Sequence, residues 1–174
     1  AEAAITFKGA TINLTKDIDL SAYCSKIVGS WIPIKSFYGT FNGNNHTISN
    51  LFCNTTDRAG LFDSVNDAVI KNVVINGAIY CTDTYDIGCI AIRANKSVFE
   101  NCIANVNVFA KNDSDATGPT IGGICGQSDS SNFIACQSKG DIICSIRKSY
   151  ILGSMGGVVG FDLNNSSNIV ACCK

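Results

Sequence analysis

Few residues in this chain have the type and spacing to do chemistry. His46, the single histidine, sits in Asn44-Asn45-His46-Thr47-Ile48. A general base needs a nucleophile or an orienting carboxylate, and the sequence places neither beside it, so a residue that hydrogen-bonds its own turn is the simpler reading. The segment Asn112-Asp113-Ser114-Asp115-Ala116-Thr117-Gly118 puts oxygen ligands at alternate positions before a glycine. Calcium is the cation that Asp113 and Asp115 would take. The bidentate glutamate that closes helical calcium loops is missing, however, and a solvated loop explains the run as well. A third constellation is acidic: Asp83, Asp86, Asp113, Asp115 and Asp141, with Arg93 or Arg147 as the basic partner. Gathered on one face, such groups would suit cleavage of an acidic polysaccharide. Their positions within the repeat described below do not coincide, so no residue is assigned a catalytic role. Asp83, Asp86, Asp113, Asp115 and Arg147 remain as loop residues available for binding.

Ten cysteines would suit a disulfide framework, but their spacing points elsewhere. There is no Cys-X-X-Cys pair, and a single histidine leaves the zinc patterns incomplete. Val73, Cys102, Cys136 and Cys172 occupy equivalent repeat positions, and eight residues further on so do Cys81, Ala110 and Cys144. Positions that alternate between Cys and Val or Ala call for a small apolar filler, so buried thiol columns are expected in preference to bridges. The Cα spacing of stacked strands still permits a bridge.

The elements that would position these residues are set by a repeat. Ala59-Gly60-Leu61-Phe62, Ile87-Gly88-Cys89-Ile90, Ile121-Gly122-Gly123-Ile124-Cys125-Gly126 and Met155-Gly156-Gly157-Val158-Val159-Gly160 recur along the chain. Taking Gly60, Gly88, Gly123 and Gly157 as equivalent gives spacings of 28, 35 and 34 residues, within the range of stacked repeats. From Val73, Cys102 and Cys136, the residues four, six and eight places on are small or apolar. Those three and five places on are mostly polar: Asn76, Asn105, Asn107, Lys139 and Asp141, with Ala78 the exception. That parity marks a half-buried strand repeated in register, and no 3.6-residue stripe argues for helix. Asn44-Asn45 reads as the turn of a strand-turn-strand unit from Gly39 to Leu51. The polar stretches Thr82 to Asp86, Lys111 to Pro119, Gln127 to Ser131, Arg147 to Ser154 and Asp162 to Ser167 read as loops. Residues 1–30 do not match the repeat and are expected to lead into the stack or cap it.

Composition narrows the partners. A net charge of -1, with 13 basic residues scattered along 174, argues against nucleic acid or an anionic membrane as the main partner. Apolar runs such as Val73-Val74-Ile75 are far too short for a membrane helix. Seven Asn-X-Ser/Thr sequons, at Asn13, Asn45, Asn54, Asn95, Asn112, Asn164 and Asn165, show a polar surface. The apolar strand at Val170-Ala171-Cys172-Cys173 stops within the unit that earlier repeats continue, which suggests a fragment of a longer array.

The run Trp31-Ile32-Pro33-Ile34, the stretch from Gly39-Thr40-Phe41-Asn42-Gly43 to His46-Thr47-Ile48, and the glycine-flanked apolar triplets resemble bacterial surface proteins bearing the GLUG repeat. Asp63 and Ala91 stand where the second glycine would be, and Asn42 and Asn45 where Asp and Gly are usual. The resemblance covers residues 31–174. With the periodicity, it leads to an expected all-β fold: a right-handed parallel β-solenoid (β-helix) of about four to five coils with an atypical N-terminal segment. It implies an adhesin-like, non-catalytic module, extracellular or at the cell surface, which presents loops to a glycan or a host protein or serves as a spacer. No cofactor is implied. The alternative is a carbohydrate-active β-helix enzyme.

Overall fold

The computed structural model describes residues 7–83, 86–112, 118–146, 153–163 and 169–171. Among them there is no helix, and all strand-to-strand pairing within the four separate sheets is parallel. The first sheet orders Thr11–Asn13, Thr40–Asn42, Val69–Lys71, Val98–Glu100, Asn132–Ile134 and Ile169–Ala171. The second carries the longest strands: Ile18–Asp19, Thr47–Thr55, Val74–Thr82 and Ile103–Asn112, the last flanked by Gln137–Ser138 and Ile142–Ile146. The third orders Phe62–Asn66, Ala91–Asn95, Cys125–Asp129 and Val159–Asp162, and the fourth Asp86–Gly88, Thr120–Gly122 and Ser154–Gly156. Spatial order follows chain order in each sheet, so every strand pairs with its counterpart in the next repeat. The segment before residue 30 joins this scheme: Ile12 pairs with Phe41 and Ile18 with Ile48.

Alternation along the strands builds the core. In Ile103–Asn112, Ala104, Val106, Val108 and Ala110 are buried while Asn105, Asn107 and Phe109 face out. Because pairing is in register, each buried position becomes a column: Phe41, Ile70, Phe99 and Phe133 are consecutive partners. The Phe99 and Phe133 rings stack with centroids 4.9 Å apart. The cysteine columns fall where the alternation put them, since Cys81, Ala110 and Cys144 are partners. Cys102 and Cys136 are bracketed by the pairs Glu100–Ile134 and Ile103–Gln137. Cys172 and Cys173 lie outside the described residues. None of the eight described cysteines is bridged.

Corners between sheets need left-handed backbone, which asparagine tolerates better than most residues. Asn44, Asn45, Asn72 and Asn101 all have positive φ, as does Ala135 at the position equivalent to Asn101. The turn at Asn44-Asn45 is such a corner and not a hairpin: Thr40–Asn42 and Thr47–Thr55 belong to different sheets and each pairs with its own counterpart. A line of side-chain amides runs along the corner, with Asn42 donating to Asn13, Asn72 to Asn42 and Asn101 to Asn72 at 3.1, 3.2 and 3.3 Å.

Two sequence expectations shift. Gly88 pairs with Gly122 and Gly122 with Gly156, so the repeat glycine is the first of each Gly-Gly pair and not Gly123 or Gly157. The physical reason is close approach: a Cβ on Gly88, Gly122 or Gly156 would run into the carbonyl oxygen of Ala91, Cys125 or Val159, three residues on. Gln127 to Asp129, expected as loop, is strand; its partners are Arg93, Ala94 and Asn95. Gln127 and Asp129 are partly exposed, whereas Ser128 between them is buried.

Candidate functional site

The register brings two of the sequence candidates, Asp83 and Asp86, to one corner, between the long-strand sheet and the three-stranded sheet. Thr82 pairs with Lys111 and Lys111 with Ser145, which fixes one side of the corner in three successive repeats. Asp86 pairs with Thr120 and Thr120 with Ser154, which fixes the other. Across the corner the spacing between partners rises from 29 residues, Thr82 to Lys111, to 34, Asp86 to Thr120. The two flanking pairings assign those extra residues to the stretch between Lys111 and Thr120. Asp113, Asp115 and Arg147, the calcium and binding candidates in that stretch and the next, lie outside the described residues.

Asp83 opens this corner with a positive φ of 53°, and its backbone N–H donates to the Lys111 carbonyl at 2.8 Å. Asp86 is only 3% exposed. Its Oδ2 accepts from Arg93 Nη2 at 2.7 Å and its Oδ1 from Gln127 Nε2 at 2.6 Å. Arg93 and Gln127 are themselves cross-strand partners, so three strands from two sheets converge on one carboxylate. Both oxygens are engaged and the group is shielded from water, so Asp86 ties the corner together and does not present a carboxylate to a ligand. Asp141 is exposed and lies away from this corner, where its backbone N–H donates to Asn107 Oδ1 at 3.0 Å. Among the described residues, no three of His, Cys, Asp and Glu gather with metal-ligand geometry.

His46 does have a carboxylate that the sequence did not place beside it. Asp17 Oδ1 lies 3.1 Å from His46 Nδ1 and accepts the Thr47 N–H at 2.9 Å. The Thr47 N–H first, and His46 second, hold the Asp17 carboxyl below the usual carboxylate range. The pair joins the leading segment to the Asn44-Asn45 corner, one repeat apart. Its missing signal was simple: Asp17 and His46 are neighbours only through the stacking of repeats.

Seven of the eight described cysteines are buried. Burial pushes Cys53, Cys81 and Cys89 up to about 12. The Cys136 thiol and burial together hold Cys102 well above its ordinary value. Cys102 Sγ is within reach of the Ile70 and Glu100 carbonyls, both at 3.4 Å. Protonated, enclosed thiols are poor nucleophiles and poor partners in disulfide exchange.

Comparison with known proteins finds no matching family model, no matching curated protein and no matching solved structure.

Proposed function

We propose that this chain is a right-handed parallel β-solenoid of about four to five coils, of the GLUG-repeat kind, working as a non-catalytic extracellular or cell-surface module. The in-register parallel pairing of each strand with its counterpart one repeat on carries this reading. Stacked coils of this sort offer a long surface and leave the corner loops free to vary, which suits adhesion or spacing better than a single enclosed reaction site. Asp86 fits this reading, since a carboxylate enclosed at 3% exposure and held by Arg93 and Gln127 is not presented to a substrate. Raised and buried thiols are consistent with an oxidising exterior, because protonated cysteines resist exchange there. Glycans or host surface proteins are the partners this reading favours.

The test pairs binding with turnover. The protein is incubated with a panel of uronic-acid polysaccharides and applied to a glycan array. Retention without product supports a binding module. Release of unsaturated or new reducing ends would replace it with a carbohydrate-active enzyme.

A further inference from the structure

We propose that the hollow between the turn at residues 21–26 and the long-strand sheet is a binding site for a carboxylate-bearing sugar unit. The proposal rests on the reading of the chain as a glycan-binding module and names the class of glycan and its place. The hollow encloses about 400 Å3 and is lined by Ser21, Cys24, Ser25, Lys26, Asn50 and Phe52, with Leu51, Gly77 and Ala78 beneath. That is toward the small end of ligand pockets, enough for one or two sugar rings.

Its shape follows from a local fault in the sheet. Pairing between Thr47–Thr55 and Val74–Thr82 slips between Ile48 and Leu51, and Asn50 there takes a positive φ of 60°. Bulges of this kind re-aim side chains and recur beside binding sites. Opposite the bulge stand the two smallest side chains of the strand, Gly77 against Leu51 and Ala78 against Phe52. Gly77 has no alternative, since a Cβ would strike the Leu51 carbonyl. The floor is therefore low and flat beside an aromatic ring, the form that accepts the apolar face of a pyranose.

The opposite wall is fixed in place. Leu20 N–H donates to the Ser49 carbonyl at 3.0 Å, and Ser25 and Gly29 exchange backbone hydrogen bonds at 2.9 and 2.8 Å. Cys24, fully buried, lies with its sulfur 3.4 Å from both the Asn50 carbonyl and the Phe52 N–H. The wall need not reorganise to receive a ligand.

The lining is rich in donors and carries one charge, that of Lys26. Ser25 Oγ accepts from the Ile27 and Val28 N–H groups at 3.3 and 3.1 Å, which leaves its own hydrogen to donate. Asn50 Nδ2 gives one hydrogen to Asp19 Oδ1 at 2.8 Å, and its second remains. Asp19 thereby holds the amide in position. An ammonium with hydroxyl and amide donors around it complements a carboxylate set among sugar hydroxyls. A neutral sugar would leave Lys26 without its counter-charge, and a peptide carboxy terminus would find no deep apolar recess for its side chain.

Titration calorimetry with short oligomers of galacturonate and glucuronate, their neutral galactose and glucose counterparts, and a tripeptide with a free carboxyl group tests this. Uronate oligomers are expected to bind at least tenfold more tightly than the neutral ones, and the tripeptide not at all. Lys26→Met is expected to abolish that preference. Ala78→Gln, which raises the floor, is expected to weaken uronate binding at least tenfold, with the far-ultraviolet spectrum unchanged in both variants. Equal binding of neutral and acidic oligomers, preferential binding of the tripeptide, undiminished affinity in Lys26→Met, or no binding of any probe would overturn the site. None of those outcomes touches the non-catalytic reading, which fails only if products appear.

Discussion

At the scale of single residues, the buried carboxylate contributes through its partners and the buried thiols through their protonation. Asp86→Ala leaves Arg93 and Gln127 without the acceptor they share, and should lower stability by about 2 kcal/mol. Arg93→Ala should cost less, because the Arg93 side chain is 49% exposed and water takes over part of its work. Urea midpoints of the two variants give the comparison; equal losses would mean that the ion pair, and not the enclosed carboxylate, sets the energy. For the thiols the folded value of about 12 lies above the ordinary 9. The favourable contribution is thus complete below pH 9 and is lost as pH rises from about 9 toward about 12. Near pH 10 the loss is roughly 1 kcal/mol for each such thiol, so urea midpoints under reducing conditions should fall between pH 8 and 10. A flat profile would place these sulfurs in water. In denaturant without reductant all eight described cysteines should react with a thiol reagent, and a shortfall of two or more would reveal bridges.

At the scale of elements, the corners decide more than the strands do. Gly122→Ala drives a methyl group into the Cys125 carbonyl, against backbone that cannot move without shifting the neighbouring repeat, and should cost about 2–3 kcal/mol. Gly157→Ala meets nothing within 4 Å and should be near neutral, although the two glycines look alike in the sequence. Thermal denaturation of both distinguishes the roles. Ala135 sits at φ 52° where the two preceding repeats place Asn72 and Asn101. Ala135→Asn should therefore raise stability by about 1 kcal/mol, by relieving the left-handed strain and extending the amide line beyond Asn101. The strands themselves were legible beforehand, because inward and outward positions alternate in type and cysteine shares its columns with alanine. The glycine register was read one residue late, since either member of a Gly-Gly pair fits the pattern and only carbonyl contact separates them. Gln127 to Asp129 was hidden by composition: Gln127 and Asp129 on the outer face are residues a loop would also use, and the buried position between them is a serine. The pocket beneath Lys26 had no periodic signal, as it depends on a slip in pairing and on the one segment that does not repeat.

At the scale of the whole molecule, the in-register pairing predicts how the chain tolerates loss. Deleting residues 89–122 joins Gly88 to Gly123 and removes one register unit, because Gly88 and Gly122 are partners. The shortened chain should keep its β-type far-ultraviolet spectrum and unfold cooperatively at a lower temperature. Deleting residues 89–105 instead joins non-equivalent positions and should leave no cooperative transition. If both deletions behaved alike, the sheets would not be the sides of a common stack. The same register has a consequence for how such a chain changes over time. Its later repeats take in extra residues between Lys111 and Thr120 while the pairings on either side, Thr82 with Lys111 and Asp86 with Thr120, stay aligned. That corner is a hinge point for novelty: guest segments can be lengthened, exchanged or grafted there while the paired positions on either side keep their register.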